Sequence, residues 1–268
     1  MSRKLKLAAL QKRIGSYIPP AEFHRLHELG VDLVCLPEYF FIPDGTRNQI
    51  ETTSHRQTIL SRLAAYSREL VGAVVGGTLV EEEEGRYYNA CHIFDCGQHI
   101  GFYRKRHLTG REQALDLKSG EGPAVFELRG FRLGVLICAD VLLAESYREL
   151  APLKADVIAV PTVSPYLEND TVAEKHRRDQ EYFVKGARLA GAYVVKACGV
   201  GSLMGGRLQG RSLICSPAGI ITRVTPRNEM LESTLIAEVD LDKLPGAVRQ
   251  NNTLAAPELF LLPGPSRT

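Results

Sequence analysis

The chain has 268 residues, enough for one large α/β domain and marginal for two. Hydrophobic residues make up 44% and the net charge is +2. That balance suits a packed core and gives no electrostatic case for nucleic acid or a membrane surface. No apolar run approaches the ~20 residues of a membrane span. The apolar stretch behind the basic residues 1–6 ends by Leu10, too short for a signal peptide.

Residues 5–10 read as a first strand. Residues 20–29 read as a helix, opened by Pro19-Pro20 and closed by Gly30. Residues 31–36 form an almost wholly apolar strand of the kind covered on both faces, ending at Pro37-Glu38. Residues 55–70 carry Ile59, Leu60, Leu63, Ala64 and Leu70 near helical spacing. Residues 71–80 are rich in Val and Gly and read as one strand, and the glutamates at 81–84 as a solvated turn. Residues 87–94 and 99–103 make a hairpin, as do 124–128 and 131–137. A helix over 144–151 stops at Pro152. A strand covers 157–160, a long helix 171–190 with Asp170 or Thr171 as cap, and four more strands 193–197, 212–215, 220–224 and 235–239. The glycines at 199, 201, 205 and 206 read as an irregular turn, since no helix pattern follows them and a dinucleotide loop needs one. Residues 257–268 look like an extended C-terminal tail. With no break in composition, strands and helices alternating end to end predict a single layered domain over 1–268.

The six cysteines stand at 35, 91, 96, 138, 198 and 215, with no Cys-x-x-Cys pair. This argues against a disulfide framework and for a reducing compartment, hence the cytoplasm. Cys91 and Cys96 with His92 and His99 do not match zinc-module spacing, and Asp95-Cys96-Gly97-Gln98 reads as a hairpin turn. No metal site is expected.

The stretch Gly134-Val135-Leu136-Ile137-Cys138-Ala139-Asp140 is an apolar strand ending on a cysteine, with helical sequence soon after. A thiol at such a junction is held rigidly, and a helix N-terminus beside it favours thiolate. A buried structural cysteine is the other reading. A cysteine nucleophile acting on a carbon–nitrogen bond needs a base, an oxyanion stabiliser and an acid for the leaving amine. Glu38 lies at the C-terminal end of a buried strand, where α/β sheets place ligand groups. Partial desolvation there would raise its pKa towards a useful base. Lys105 lies in Tyr103-Arg104-Lys105-Arg106-His107-Leu108, either a basic exposed edge or a fixed cation beside the sulfur.

Taken together, Leu36-Pro37-Glu38, Tyr103-Arg104-Lys105-Arg106-His107-Leu108 and Ile137-Cys138-Ala139-Asp140, with Glu145 and Arg148 downstream, resemble the base, lysine and nucleophile motifs of the nitrilase superfamily of carbon–nitrogen hydrolases. Gly210-Arg211-Ser212, Ser216-Pro217-Ala218-Gly219 and Ala237-Glu238-Val239-Asp240 resemble its closing strands, so the likeness covers nearly the whole chain. It implies an α/β fold, the four-layer αββα sandwich. It implies Glu38 as general base, Lys105 as oxyanion cation, Cys138 as nucleophile, Glu112 as the glutamate holding the lysine, and the Ala139 N–H as second oxyanion donor. It implies no cofactor, and assembly as a homodimer or higher homo-oligomer. Ala139 stands where an aromatic is frequent, Ala144 where a proline is, and Leu189-Ala190 where many members carry Glu-Asn. Cys-x-Asp at Asp140 looks like the amidase and carbamoylase branches, so the expected substrate is a small amide or ureido compound, with a nitrile as the alternative. Tyr39, Thr162, Ser164 and Tyr166 flank the motif-bearing strand ends and are the substrate-binding candidates.

Three other readings compete. A Cys-His hydrolase of another fold would use His107 or His176. A non-catalytic nitrilase-like binding or assembly subunit would not need the intact Glu38, Lys105 and Cys138. A nucleotide-binding protein would rest on the glycines between 199 and 206.

Overall fold

The computed structural model describes residues 3–245, so the tail expected over 257–268 lies outside the described residues. The first half of the chain runs β1 (Lys4–Arg13), α1 (Pro20–Glu28), β2 (Leu33–Cys35), α2 (Arg56–Leu70), β3 (Ala73–Val75), β4 (Leu79–Glu83), β5 (Arg86–Asp95), β6 (Gln98–Arg104) and α3 (Gly110–Ala114). The hairpin β7 (Ala124–Leu128) and β8 (Phe131–Val135) follows, then α4 (Ala144–Leu150), β9 (Val157–Thr162), α5 (Val172–Asp179) and α6 (Lys185–Ala190). The chain closes with β10 (Tyr193–Leu203), β11 (Gly206–Leu208), β12 (Leu213–Ser216), β13 (Gly219–Arg223) and β14 (Ser233–Asp240).

Strand alternation builds the layers. In β1, Leu7 and Ala9 point into one core while Ala8 and Leu10 point into another. In β9, Val157 and Ala159 join Leu7 and Ala9, while Ile158 and Val160 face the other way. The shared core lies between two sheet halves. Outside the first half pack Phe23 and Leu26 of α1 with Ile59, Leu63, Tyr66 and Leu70 of α2. Outside the second pack Tyr147 and Leu150 of α4 with Ala187 and Ala190 of α6. The result is the expected αββα order. Among the described residues, a strand pairing joins the two halves only where the end of β1 meets β10, at Lys12↔Gly199 and Arg13↔Val200. Strands β3, β2, β1, β10, β9 and β8 are parallel neighbours in that order, so their C-terminal ends open on one side.

Several local expectations are corrected. The strand expected over 71–80 breaks into β3 and β4 at Gly76-Gly77. Gly77 has φ +65°, and a Cβ there would stand 2.2 Å from the Pro37 carbonyl oxygen, so only glycine admits the segment before Glu38. Thr78 then accepts from the Tyr39 N–H at 3.0 Å and pins that segment. The glutamates at 81–84 are not one solvated turn: Glu81 belongs to β4 and is buried, with Arg56, His92 and Arg104 around it. The glycines at 199–206 do not form an irregular turn. They let β10 run on to Leu203 and pair with β11, and the turn falls at Met204-Gly205. At Gly199 a Cβ would lie 2.5 Å from the end of the Ile14 side chain, which would have to shift to admit it. The long helix of 171–190 is continuous but takes a π turn at Gln180–Val184 between α5 and α6. The short α3 is an addition, marked in sequence by the capping box Thr109-x-x-Glu112.

Candidate active site

Three strand ends deliver the central groups. Glu38 follows β2, Lys105 follows β6 and Cys138 follows β8. Lys105 Nζ lies 2.8 Å from Glu38 Oε1 and 2.9 Å from Glu112 Oε2. All three of these side chains are buried, each at most 2% exposed. Glu112 is fixed by its own helix cap: Oε2 accepts from the Thr109 N–H and hydroxyl, both at 2.8 Å. Its Oε1 accepts from the Tyr39 hydroxyl at 2.6 Å and from Asn89 Nδ2 at 2.8 Å.

Asn89 is the member that the motifs did not single out. The same Nδ2 donates to Glu38 Oε1 at 3.0 Å, so one amide spans the two carboxylates. Glu38 Oε1 therefore takes both Lys105 and Asn89, while Oε2 is buried with no hydrogen-bond partner. The Cys138 thiol interacts with this carboxylate and donates to the Val163 carbonyl at 3.4 Å.

The protonation states follow from burial and from the neighbouring charges. Burial raises the Glu38 pKa, the Lys105 charge opposes it, and the Glu112 charge adds to it; the net is upward. Burial would lower Lys105, but the charges of Glu38 and Glu112 outweigh it and hold the ammonium protonated. Glu112 goes the other way: Lys105, Tyr39 and Thr109 overcome burial and keep its carboxylate ionised. Cys138 as a residue is half-buried, yet burial of the sulfur and the charge of Glu38 drive its pKa well above the usual thiol value. That direction runs against the thiolate expected from a helix N-terminus and favours a thiol that hands its proton to a base.

The nucleophile turn is held by Asp140. Cys138 has φ +43°, an uncommon backbone for a residue with a side chain. Asp140 is fully buried and accepts from the Ile137, Arg106 and His107 N–H groups, the Tyr103 hydroxyl and the His107 ring at 2.8–3.2 Å. One carboxylate so ties the turn around Cys138 to the segment carrying Lys105. With five partners and no exposed surface, its carboxylate acts on the geometry of the turn. Ala139 follows in the same turn, half-buried.

The other candidates are dispersed. Tyr39 is 4% exposed, with its hydroxyl on Glu112. Thr162 is buried and donates to the Val160 carbonyl. Ser164 accepts the Gln209 N–H through its carbonyl, one residue beyond Val163. Tyr166 is exposed, under the Arg207 guanidinium. His107 turns to Asp140, and His176 lies against Arg223 on an exposed face. Neither arrangement is that of a base on Cys138. Among the described residues no group of His, Cys, Asp and Glu is arranged to hold a metal ion.

A cysteine, a buried carboxylate and a buried ammonium at the open strand ends of an αββα sandwich define the class: a hydrolase of the nitrilase superfamily. The chain belongs to the carbon-nitrogen hydrolase family, whose sequence profile matches residues 7–247. Among its curated relatives, an (R)-stereoselective amidase from Pseudomonas sp is 28% identical over 237 residues, covering 86% of this chain and 81% of the relative. A nitrilase from Pyrococcus abyssi is 31% identical over 219 residues, covering 79% and 78%. An N-carbamoylputrescine amidase from Solanum tuberosum is 26% identical, covering 91% and 88%. The fold is shared with a carbon-nitrogen hydrolase from Helicobacter pylori G27, with TM-score 0.75, 19% identity and coverage of 90% and 91%. It is shared too with a double mutant of the amidase from Nesterenkonia sp. AN1 in complex with acrylamide, with TM-score 0.74, 21% identity and coverage of 88% and 90%.

Proposed function

We propose that this hydrolase cleaves the C–N bond of a small amide or ureido compound through a thioester on Cys138. The observation that supports the reading is the Glu38 carboxylate, interacting with the Cys138 thiol and keeping Oε2 without a hydrogen-bond partner. Glu38 takes the thiol proton on Oε2 as sulfur attacks the carbonyl carbon. Lys105 and the Ala139 N–H stabilise the oxyanion, the step where preorganised donors count most. The C–N bond breaks as Glu38 returns the proton to nitrogen, releasing ammonia or an amine. Water then gives a proton to Glu38, its oxygen attacks the thioester carbon, and the acid leaves as the thiol reforms. Glu112 and Asn89 hold Lys105 and Glu38 without touching the reacting atoms.

Amidase names among the relatives support an amide, and the carbamoyl name supports a ureido substrate. The Pyrococcus relative keeps a nitrile as the second reading. Ammonia release across a panel of small amides, ureido acids and nitriles tests this. Turnover of an amide or ureido acid is expected, and turnover confined to nitriles would overturn it. The same reading makes 1–268 one catalytic domain. Six free cysteines fit a reducing cytoplasm, and sedimentation should report a homodimer or larger homo-oligomer.

A further inference from the structure

The Val163 carbonyl accepts the Cys138 thiol, and the Val163 side chain belongs to an apolar wall beside it. Val163 is half-buried, so it keeps accessible surface. It packs with Ile14 and Tyr39 in one cluster at the open strand ends, with Leu108 and Leu203 half-buried at its edge. Ile14 is held from two sides. Its N–H donates to the Val200 carbonyl at 3.1 Å, and the next N–H, of Gly15, donates to the Phe40 carbonyl at 2.8 Å, two residues beyond Glu38. Both side chains close over Gly199: a Cβ there would lie 2.5 Å from Ile14 Cδ1 and 3.4 Å from Val163 Cγ1. The same cluster reaches the ammonium side, where the Tyr39 hydroxyl bonds to Glu112, a partner of Lys105. The charges beside the wall, Glu38, Lys105 and Glu112, are engaged with one another. A substituent that leaves the carbonyl carbon toward Val163 thus meets hydrocarbon, where a carboxylate or a ureido N–H would be buried without a partner.

We infer that Val163 and Ile14 form the acyl subsite, and that the substrate is the amide of an apolar carboxylic acid whose chain packs on Val163 with Ile14 closing the far end. The inference rests on the proposed attack of Cys138 on an amide, so binding and turnover are read separately. Calorimetric titration of the full-length Cys138→Ala chain with acetamide, butyramide and hexanamide needs no chemistry. Affinity should rise about fourfold for each methylene the wall takes up. Butylurea, which puts a ureido N–H where hexanamide has a methylene, and the monoamide of adipic acid, which puts a carboxylate at the far end, should each bind about tenfold or more weakly than hexanamide. In the wild-type enzyme kcat/KM should follow the same order. Val163→Thr keeps the shape and the carbonyl but adds a hydroxyl, and the hexanamide-to-acetamide ratio of kcat/KM should fall severalfold. A disturbed thiol contact would lower both rates and leave that ratio unchanged. Ile14→Val shortens the side chain over Gly199 and should raise the octanamide-to-hexanamide ratio. Graded binding without turnover of any amide would overturn the proposed reaction and uphold the subsite. The subsite would be overturned by a flat or falling series, by an unchanged ratio in either variant, or by butylurea binding as tightly as hexanamide. Tighter binding of the adipic monoamide, its carboxylate then held by the exposed Arg13 beside Ile14, would overturn it as well.

Discussion

Lys105 Nζ stands 2.8 Å from Glu38 Oε1 with both side chains about 1% exposed, and the pair leaves Glu38 Oε2 as the one open oxygen of that carboxylate. The ammonium thus serves both the oxyanion and the direction in which Glu38 presents its basic lone pair. Lys105→Ala should lower kcat by about 10²–10³ if it acts as one oxyanion donor. It also leaves Glu38 and Glu112 together without their shared cation. The folded state should lose roughly 3–5 kcal/mol, as expected when one partner of a buried pair is removed. Steady-state kinetics and denaturant unfolding separate the two effects.

Glu38 works as a base only when ionised, and burial raises its pKa. Activity should therefore fall on acidification through a midpoint above the ordinary Glu value of about 4.3. Asn89 donates to the same carboxylate. Asn89→Ala removes a bond that favours the charged form, so the acid limb of kcat/KM should move to still higher pH. A role in packing alone would lower the rate without moving that limb.

Asp140→Asn places an amide N–H among five groups that donate to the native carboxylate. The turn at Cys138 and the Lys105 segment should lose their common anchor. A stability loss of about 3 kcal/mol is expected from the unpaired buried donors, with a fall in kcat larger than any rise in KM. By contrast His176→Gln should leave kcat/KM at the wild-type value, since His176 engages Arg223 on an exposed face.

Much of this was legible in the sequence. Apolar runs and their spacing marked most strands and helices, because burial pattern is a local property of the chain, whereas the αββα layers and the groups at the strand ends came from the resemblance carried by the three motifs. Asn89 and Asp140 were not legible as hubs. Their partners lie up to 51 residues away in the chain, and one polar residue in a strand does not announce which carboxylate it will meet. The upward direction of the Cys138 pKa is likewise not local, since it comes from burial of the sulfur and then from Glu38, which a distant strand delivers. Glu81 was hidden within a run of four glutamates, where alternation turns Glu81 inward and Arg104 reaches it from β6.

Glu81 carries a prediction of its own. Burial would raise its pKa, but bonds to His92 and Arg104 bring it down to about 2. Its unfolded value is about 4.3. A depressed folded pKa contributes stability that is present above the unfolded value and lost as pH falls towards the folded one. Glu81→Gln should lower Tm at neutral pH, and its deficit against wild type should narrow between about pH 4.3 and pH 2. Thermal unfolding followed by circular dichroism at both ends of that window reads the change.

Intact-protein and peptide mass spectrometry during turnover of an amide found in the ammonia-release panel bears most directly on the sulfur. A hydroxylamine-labile acyl adduct should appear on the peptide containing Cys138, form far more slowly in Glu38→Gln, which lacks the base that creates it, and be absent in Cys138→Ala together with turnover. Turnover that persists in Cys138→Ala, or an adduct confined to another residue, would contradict the assignment of Cys138 as nucleophile.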